Sequence, residues 1–170
     1  FSTIHTNSAA GALPRLLDMK VEPFLLSSSM TAVVAQRVLR KICSTCKIAY
    51  VPEQAVVQDM KQVLAGLYDG YKKSNPGRVE EAKKNGQELI LYKGKGCAKC
   101  GGIGYSGMIG VFEVLVVSEK IARLIMEQAD AGTVEKQSIA EGMITLKQDG
   151  YLKILEGITT IEEVIRVAQV

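Results

Sequence analysis

Residues 43–46, Cys-Ser-Thr-Cys, and residues 97–100, Cys-Ala-Lys-Cys, form two matched C-x-x-C pairs that contain all four cysteines of the chain. In a reducing compartment, matched pairs of this kind are typical of metal ligands rather than of disulfides. Four thiolates make a tetrahedral cage that suits structural zinc better than harder cations. The pattern therefore predicts one zinc site that organises the surrounding fold, with the ligands Cys43, Cys46, Cys97 and Cys100.

The spacing between the two pairs sets the size of the segment that the metal would close. The 50 residues from 47 to 96 exceed the roughly 15–20 residues of a compact zinc ribbon, so the site would staple a larger segment. Glycines around the second pair allow a tight turn that presents two sulfurs to one ion: Gly94, Gly96, Gly101 and Gly102. Lysines that could offset the negative charge of the cage stand beside the pairs, at Lys47, Lys95 and Lys99.

Two other uses of the four cysteines compete with zinc. Iron–sulfur clusters take the same four thiolate ligands, and sequence spacing leaves this alternative open. Thiol redox chemistry is disfavoured, because neither pair stands at the start of a helix after a strand, where a thioredoxin-like motif belongs.

Composition limits the size and location of the protein. The chain has 170 residues, of which 47% are hydrophobic, enough for one domain or two small subdomains. No apolar run approaches the roughly 20 residues of a membrane-spanning helix, and no signal peptide is apparent, so we expect a cytoplasmic location. The chain begins at Phe1 with what resembles a strand in progress, which suggests a piece of a longer protein.

Upstream of the first cysteine pair, the sequence predicts one strand and two helices. Residues 1–5 alternate as a strand does, and residues 9–20 carry apolar positions at helical spacing after a cluster of capping residues. Pro23 would open a second helix that runs to residue 42. Its apolar positions recur at helical spacing: Leu26, Met30, Val33, Val34, Val38 and Ile42.

Between the cysteine pairs, residues 48–51 predict a strand and residues 52–67 a helix. Residues 71–88 are crowded with charges around the turn signal Asn75-Pro-Gly77, and we interpret them as a solvated insertion. Residues 89–92 predict another strand.

Beyond Cys100, residues 108–117 predict a strand, and the remainder predicts helices. Ser118 can cap the first of these helices, and Gly142 and Gly157 stand where helix C-caps belong. Two capping-box patterns begin at Thr145 and Thr160.

Several motifs in one order carry a resemblance to a known family. Residues 2–7, Ser-Thr-Ile-His-Thr-Asn, and residues 11–19 are similar to the histidine box of the type II secretion and type IV pilus assembly ATPases. Further matching stretches follow in the family's order, at residues 22–26, 35–43, 97–100, 104–107, 112–115 and 157–164. Single matching positions precede the last stretch, at Gly142, Met143, Leu146, Asp149 and Gly150. Ordered motifs are far more specific than any single one.

The resemblance implies an α/β chain in three parts. Residues 1–42 would be the last strand and helices of a RecA-like core, and residues 43–105 a zinc-stapled α+β subdomain with the charged insertion 71–88. Residues 106–170 would be a mainly helical C-terminal subdomain. The family's members are hexameric ATPases, so the resemblance implies a homo-hexamer that hydrolyses ATP with magnesium. Its partners would be secretion or pilus platform proteins at the cytoplasmic face of the bacterial inner membrane.

His5 is the only histidine of the chain, and its residue type alone favours a structural role. The resemblance implies a different role, because the histidine of this box lies beside the γ-phosphate of the nucleotide in the family. Arg15 and Arg37 also stand in matched motifs, although arginines on a helix surface are usually solvated or paired.

Two positions depart from the family pattern. Lys20 stands where the family usually has Gly, so a left-handed helix cap would carry a side chain at a cost of about 1 kcal/mol. Met108 stands where the family often has Arg, so the polar contact of that arginine is not expected here.

The chain has no phosphate-binding loop of the form G-x-x-x-x-G-K-[ST] and no identifiable strand that would hold magnesium. We therefore expect these 170 residues alone to be inactive as an ATPase, with ATP and magnesium bound only in the intact protein.

Two kinds of binding module are alternative interpretations to an ATPase. Residues 97–104 fit the C-x-x-C-x-G-x-G knuckle of J-domain co-chaperones, but only one copy occurs. A zinc-ribbon nucleic-acid binder would need a basic stripe with aromatic residues, whereas the net charge is +3 and aromatics are 5% of the chain. We therefore expect no nucleic-acid partner.

Overall fold

A computed structural model describes residues 1–168 of the chain. These residues form two two-stranded sheets and nine α-helices, a mixed α/β architecture. In chain order the elements are α1 Ala12–Asp18, α2 Pro23–Ser29, β1 Ala32–Ile42, β2 Lys47–Tyr50, α3 Gln54–Leu64, α4 Gly66–Ser74, α5 Pro76–Lys84, β3 Leu91–Gly94, β4 Tyr105–Val116, α6 Glu119–Met126, α7 Ala131–Ala140, α8 Leu146–Leu155 and α9 Ile161–Ala168.

The described residues divide into two compact units. The first unit comprises residues 1–37 and 112–146, and its core includes Leu13, Leu115, Ile121 and Ile125. The second comprises residues 38–111 and 147–168, and its core includes Leu64, Leu91, Tyr151 and Ile154. Both contain segments that are distant in sequence, so each depends on long-range contacts.

The expected helix over residues 23–42 is wrong in its second half. Only α2 is helical, and residues 32–42 form the long strand β1. Ala35 and Leu39 are buried while Val34 and Val38 are exposed, the alternation of a strand. The β-branched valines suit a strand, and the pairing partner β4 lies about 70 residues away, beyond the reach of a periodicity argument.

The strand expected at residues 1–5 is also absent from the structure. These residues have no regular secondary structure, and none of the described strands pairs with them. A strand requires such a partner for its backbone N–H and C=O groups.

The three other expected strands are confirmed as β2, β3 and β4. Strand β2 pairs with β3 antiparallel, with Lys47 opposite Gly94 and Tyr50 opposite Leu91. The β1–β4 pair is also antiparallel, because hydrogen bonds near its ends join Val117 N to the Thr31 carbonyl and Cys43 N to the Gly104 carbonyl, both at 2.9 Å.

Residues 71–88, which we interpret from the sequence as a solvated insertion, contain helical structure that the sequence did not predict. They contain the second half of α4 and all of α5, and Pro76 occupies the first turn of α5 after the predicted turn at Asn75. Ala82 on α5 is buried, as is Tyr68 on α4, so one face of this helical pair is packed. The helical spacing of the few apolar residues was not recognised in the sequence, because charged residues dominate this segment.

Helix ends follow the sequence signals closely. The Ser118 hydroxyl accepts a 3.2 Å hydrogen bond from Ile121 N at the start of α6. Gly142 and Gly157 have positive φ and end α7 and α8, as predicted. Lys20 has φ +65° after α1, which confirms the predicted left-handed cap with a side chain.

Candidate metal centre

The four cysteines come together in the second unit. Cys43 follows β1 and Cys46 precedes β2, while Cys97 precedes and Cys100 ends a short 3-10 turn over residues 98–100. All four Sγ atoms lie within 4.8 Å of one another. Cys43 and Cys100 are buried, while Cys46 and Cys97 are half-buried. The cluster that the spacing predicted is therefore present in the fold.

The spacing of the sulfurs fits a tetrahedral metal. Sγ atoms lie 3.9 Å apart for Cys43 and Cys97, 3.9 Å for Cys46 and Cys100, and 3.7 Å for Cys97 and Cys100. A zinc–sulfur bond of about 2.3 Å places tetrahedral sulfurs about 3.8 Å apart. The four residues can therefore hold one metal ion with little movement of the backbone.

Backbone N–H groups lower the pKa of two of the cysteines, Cys100 and Cys43. The amides of Cys97 and Gly104 donate to Cys100 Sγ at 3.2 and 3.3 Å and lower its pKa to about 6. The amide of Thr45, followed by that of Cys46, lowers the pKa of Cys43. Burial raises the pKa of Cys46, and a bound divalent cation would offset that cost.

Glycines let the chain close around the second pair. A Cβ at Gly94 would stand 2.0 Å from the Gly104 carbonyl oxygen, and one at Gly96 would stand 2.5 Å from that of Gly102. Backbones cannot approach so closely with a side chain between them. Gly101 and Gly102 have φ of +62° and +82°, so the predicted tight turn does use glycine conformations.

Side chains of the stapled segment also cap the C-terminal end of α8. The carbonyl oxygens of residues 155, 156 and 157 accept hydrogen bonds, respectively, from the Tyr71 hydroxyl at 2.8 Å, the Arg78 guanidinium at 3.1 Å and the Lys47 ammonium at 2.6 Å. The last carbonyls of a helix lack partners within the helix and carry partial negative charge. The segment between the cysteine pairs therefore supplies donors to α8.

Tyr92 on the strand β3 contacts two of these cations, Lys47 and Arg78. Its ring centroid is 4.4 Å from Lys47 Nζ and 5.1 Å from the Arg78 guanidinium carbon, within the range of cation–π attraction. Burial, and then the nearby Arg78, lower the pKa of Lys47. The sequence suggested only that Lys47 could offset the charge of the cysteine cage, and this contact with α8 was missed.

His5 lies in the first unit, and its side chain is exposed. The residue after it is anchored, because the Thr6 carbonyl accepts a 3.0 Å hydrogen bond from Arg37 Nη2. Arg37 stands on β1 rather than on the expected helix. Met108 is 73% exposed, and Arg15 lies in the last turn of α1.

Two buried carboxylates, Glu113 and Glu163, were not predicted from the sequence. Glu113 is 2% exposed and accepts hydrogen bonds from Ala9 N at 2.7 Å and Leu146 N at 3.4 Å. Glu163 is 1% exposed and binds Arg40 and Arg166. Glu113 alternates with the buried Val111 and Leu115, so a charge on the inward face of a predicted strand was the available signal.

Comparison with known proteins identifies the family. Residues 1–166 match the family described as type II/IV secretion system protein. The chain belongs to this family. It is 39% identical over 168 residues to a Vibrio cholerae protein named type II secretion system ATPase E. It is 38% identical over 164 residues to the type IV pilus assembly ATPase PilB of Thermus thermophilus, and 36% identical over 169 residues to the PilB of Pseudomonas aeruginosa.

These relatives are much longer than the present chain. The alignments cover 99%, 96% and 99% of this chain but only 29%, 16% and 26% of the Vibrio, Thermus and Pseudomonas proteins, respectively. The match is therefore to one segment of each relative, and it includes the segment with the four cysteines. The family predicted from the ordered motifs is confirmed.

Proposed function

We propose that this chain is the C-terminal segment of a hexameric ATPase that powers assembly of a type II secretion pseudopilus or a type IV pilus. The observation that carries the proposal is similarity over 96–99% of the chain to proteins named as ATPases of these two systems. The identities of 36–39% extend through both structural units rather than through one shared motif.

Residues 1–42 would complete a RecA-like core, with residues 43–105 as a zinc subdomain and residues 106–170 as a mainly helical C-terminal subdomain. Helices α6 to α9 support the last assignment. ATP and magnesium would be bound mainly by residues of the intact protein outside this chain, since the 170 residues contain no phosphate-binding loop. His5 would lie beside the γ-phosphate and act on it either as a proton carrier or as a hydrogen-bonding sensor.

Zinc is the metal that best suits the cysteine cluster. Thiolates are soft ligands that select zinc over magnesium or calcium, and a cage of four thiolates leaves no open position for substrate. Cys43, Cys46, Cys97 and Cys100 would hold the ion, which would supply structural cross-linking of the segment between the pairs. The glycine contacts and the N–H donors to sulfur support this use of the cluster.

The intact hexamer would work at the cytoplasmic face of the bacterial inner membrane, with platform proteins of the secretion or pilus machinery as partners. Among the described residues, no helix is both long enough and apolar enough to cross a membrane. Peripheral attachment of the hexamer is proposed from its similarity to the family.

The test uses the intact protein that contains this segment. His5→Ala should lower kcat for ATP hydrolysis by at least about tenfold, since a group that moves or orients a proton contributes that much or more. The matched control is Lys136→Ala, which removes an exposed side chain from α7 and should keep the wild-type kcat. These 170 residues alone should show no turnover.

If the His5→Ala protein hydrolysed ATP at the wild-type rate, His5 would have no role in the reaction. Absence of any ATP hydrolysis by the intact wild-type hexamer would contradict the proposed activity itself.

A further inference from the structure

The loop that follows His5 is held by both strands of the β1–β4 pair, through Arg37 and Glu113. We propose that Arg37 is a positioning residue for ATP hydrolysis, which sets the place of His5 by anchoring the next residue of the chain. This inference rests on the proposed function of His5, and it assigns Arg37 no contact with the nucleotide.

The loop over residues 6–11 has its own hydrogen bonds. The Thr6 hydroxyl donates to the Ser8 carbonyl at 3.0 Å, and Gly11 N donates to the Ser8 hydroxyl at 3.1 Å. Ala9 and Ala10 are each 1% exposed, so the middle of the loop is packed into the core of the first unit. The loop is therefore a defined structure that begins one residue after His5.

Glu113 on β4 anchors the middle of this loop. Its side chain is 2% exposed, and one carboxylate oxygen accepts a 2.7 Å hydrogen bond from Ala9 N. The other oxygen accepts from Leu146 N at 3.4 Å. A buried carboxylate is costly unless it is hydrogen-bonded, so its place among inward-facing residues of β4 is explained by these backbone donors.

Arg37 on β1 anchors the beginning of the loop. Its Nη2 donates to the Thr6 carbonyl at 3.0 Å, and its Nη1 donates to the Gln36 carbonyl at 3.0 Å. The planar guanidinium is thereby held at two nitrogens, which fixes its direction. Arg37 is half-buried in the first unit, as are Thr6 and Ser8.

His5 depends on this anchor because its own side chain is exposed and it lies outside every strand and helix. Without Arg37, Glu113 would still hold Ala9, but the four residues from His5 to Ser8 would lose their fixed connection to β1. A small misplacement of a reacting group lowers the rate strongly while leaving the fold intact. Arg37 should therefore affect turnover more than it affects stability or nucleotide binding.

The experiment measures kcat, KM for ATP, nucleotide affinity and thermal midpoint of the intact hexamer. Arg37→Met should lower kcat by about ten- to a hundredfold. KM and the affinity for a fluorescent ATP analogue should stay within about twofold, since Arg37 is not assigned to the nucleotide. Arg37→Lys retains one donor that can reach the Thr6 carbonyl and should recover part of the lost kcat. Lys41→Met, which removes an exposed cation from the same strand, is the control and should match wild type.

A double-mutant cycle separates this inference from the proposed role of His5. If Arg37 acts through His5, Arg37→Met should cause no further loss of kcat in a His5→Ala background. The positioning role would be wrong if the two substitutions lowered kcat by independent factors that multiply in the double variant. It would also be wrong if Arg37→Met weakened nucleotide binding, even if His5 contributes to hydrolysis. Wild-type kcat in His5→Ala alone would instead contradict the proposed role of His5, and absence of hydrolysis by the wild-type hexamer would contradict the proposed activity.

Discussion

Glu163 on α9 connects this helix to β1 through one buried carboxylate. It accepts hydrogen bonds from Arg40 N at 2.8 Å and Arg40 Nη2 at 2.6 Å, both on β1, and from Arg166 Nε at 3.0 Å and Nη2 at 2.8 Å. Burial alone would raise the pKa of Glu163, but the bonds from Arg166 and Arg40 outweigh it and lower the pKa to about 2. The carboxylate is therefore ionised throughout the physiological range.

This shift predicts a pH dependence of stability. The folded pKa is below the ordinary value of 4.5, so Glu163 stabilises the fold above pH about 4.5 and loses that contribution as the pH falls toward about 2. The contribution is on the order of 2 kcal/mol, after allowance for the half-exposed Arg40 and Arg166. Denaturant unfolding of wild type and Glu163→Gln at pH 6 and pH 3 should show a difference that narrows at the lower pH.

Glu162→Gln is the control for Glu163→Gln, because it neutralises the adjacent, exposed carboxyl. Acid also releases thiolate-bound metal, but this loss acts on all three proteins and cancels in the differences. A stability difference for Glu163→Gln that is the same at both pH values would contradict the assigned ionisation.

Helix α1 ends in a cap that contains a strained residue. Lys20 N donates to the Leu17 carbonyl at 2.8 Å and Val21 N to the Leu16 carbonyl at 3.2 Å, the pair of bonds of a Schellman motif. The motif requires a left-handed residue, and Lys20 has φ +65°. Helices α7 and α8 use Gly142 and Gly157 at the equivalent place.

Lys20→Gly should therefore stabilise the protein by about 1 kcal/mol, because glycine adopts the left-handed conformation without the clash of a Cβ. Urea unfolding gives the measurement. Met19→Gly is the matched control, since Met19 has φ −76° and gains nothing from glycine. A Lys20→Gly protein that is no more stable than wild type would show that the cap carries little strain.

Removal of the metal should unfold some parts of the molecule before others. The stapled segment between the cysteine pairs has charged helices with small packed faces, so closing it costs entropy that zinc–thiolate bonds can offset, at about 10 kcal/mol or more for a structural site. Its side chains also cap the end of α8. Loss of metal should therefore loosen residues 43–105 and the last turn of α8 first.

Hydrogen exchange of the intact protein before and after chelation checks this prediction. Amide protection should fall over residues 43–105 and at residues 155–158, while α6 and α7 in the first unit keep theirs. Metal analysis should find about one equivalent of zinc, and Cys97→Ser should reproduce the effect of chelation. The proposed role of the metal would be contradicted by well-folded protein that contains far less than one equivalent of zinc. Unchanged amide protection over residues 43–105 in Cys97→Ser would contradict it as well.

The sequence by itself determined the features that depend on residue type and short spacing. The two C-x-x-C pairs predicted one cluster of four thiolates, and the sulfurs do come within 4.8 Å of one another. Ser118, Gly142, Gly157 and Lys20 predicted helix ends, because caps are formed by residues a few positions apart. The ordered motifs predicted the family for the same reason.

Only the tertiary structure decided the features that depend on a distant partner. Residues 32–42 satisfy helical spacing, yet they form β1 because β4 supplies the hydrogen bonds about 70 residues later. The sequence could not predict four hydrogen bonds between side chains and backbone groups of distant segments, since each bond spans at least 31 residues of the chain. The side chains are those of Arg37, Lys47, Glu113 and Glu163. Periodicity in the sequence indicates which face of a helix or strand is apolar, but only the tertiary structure shows which residues that face contacts.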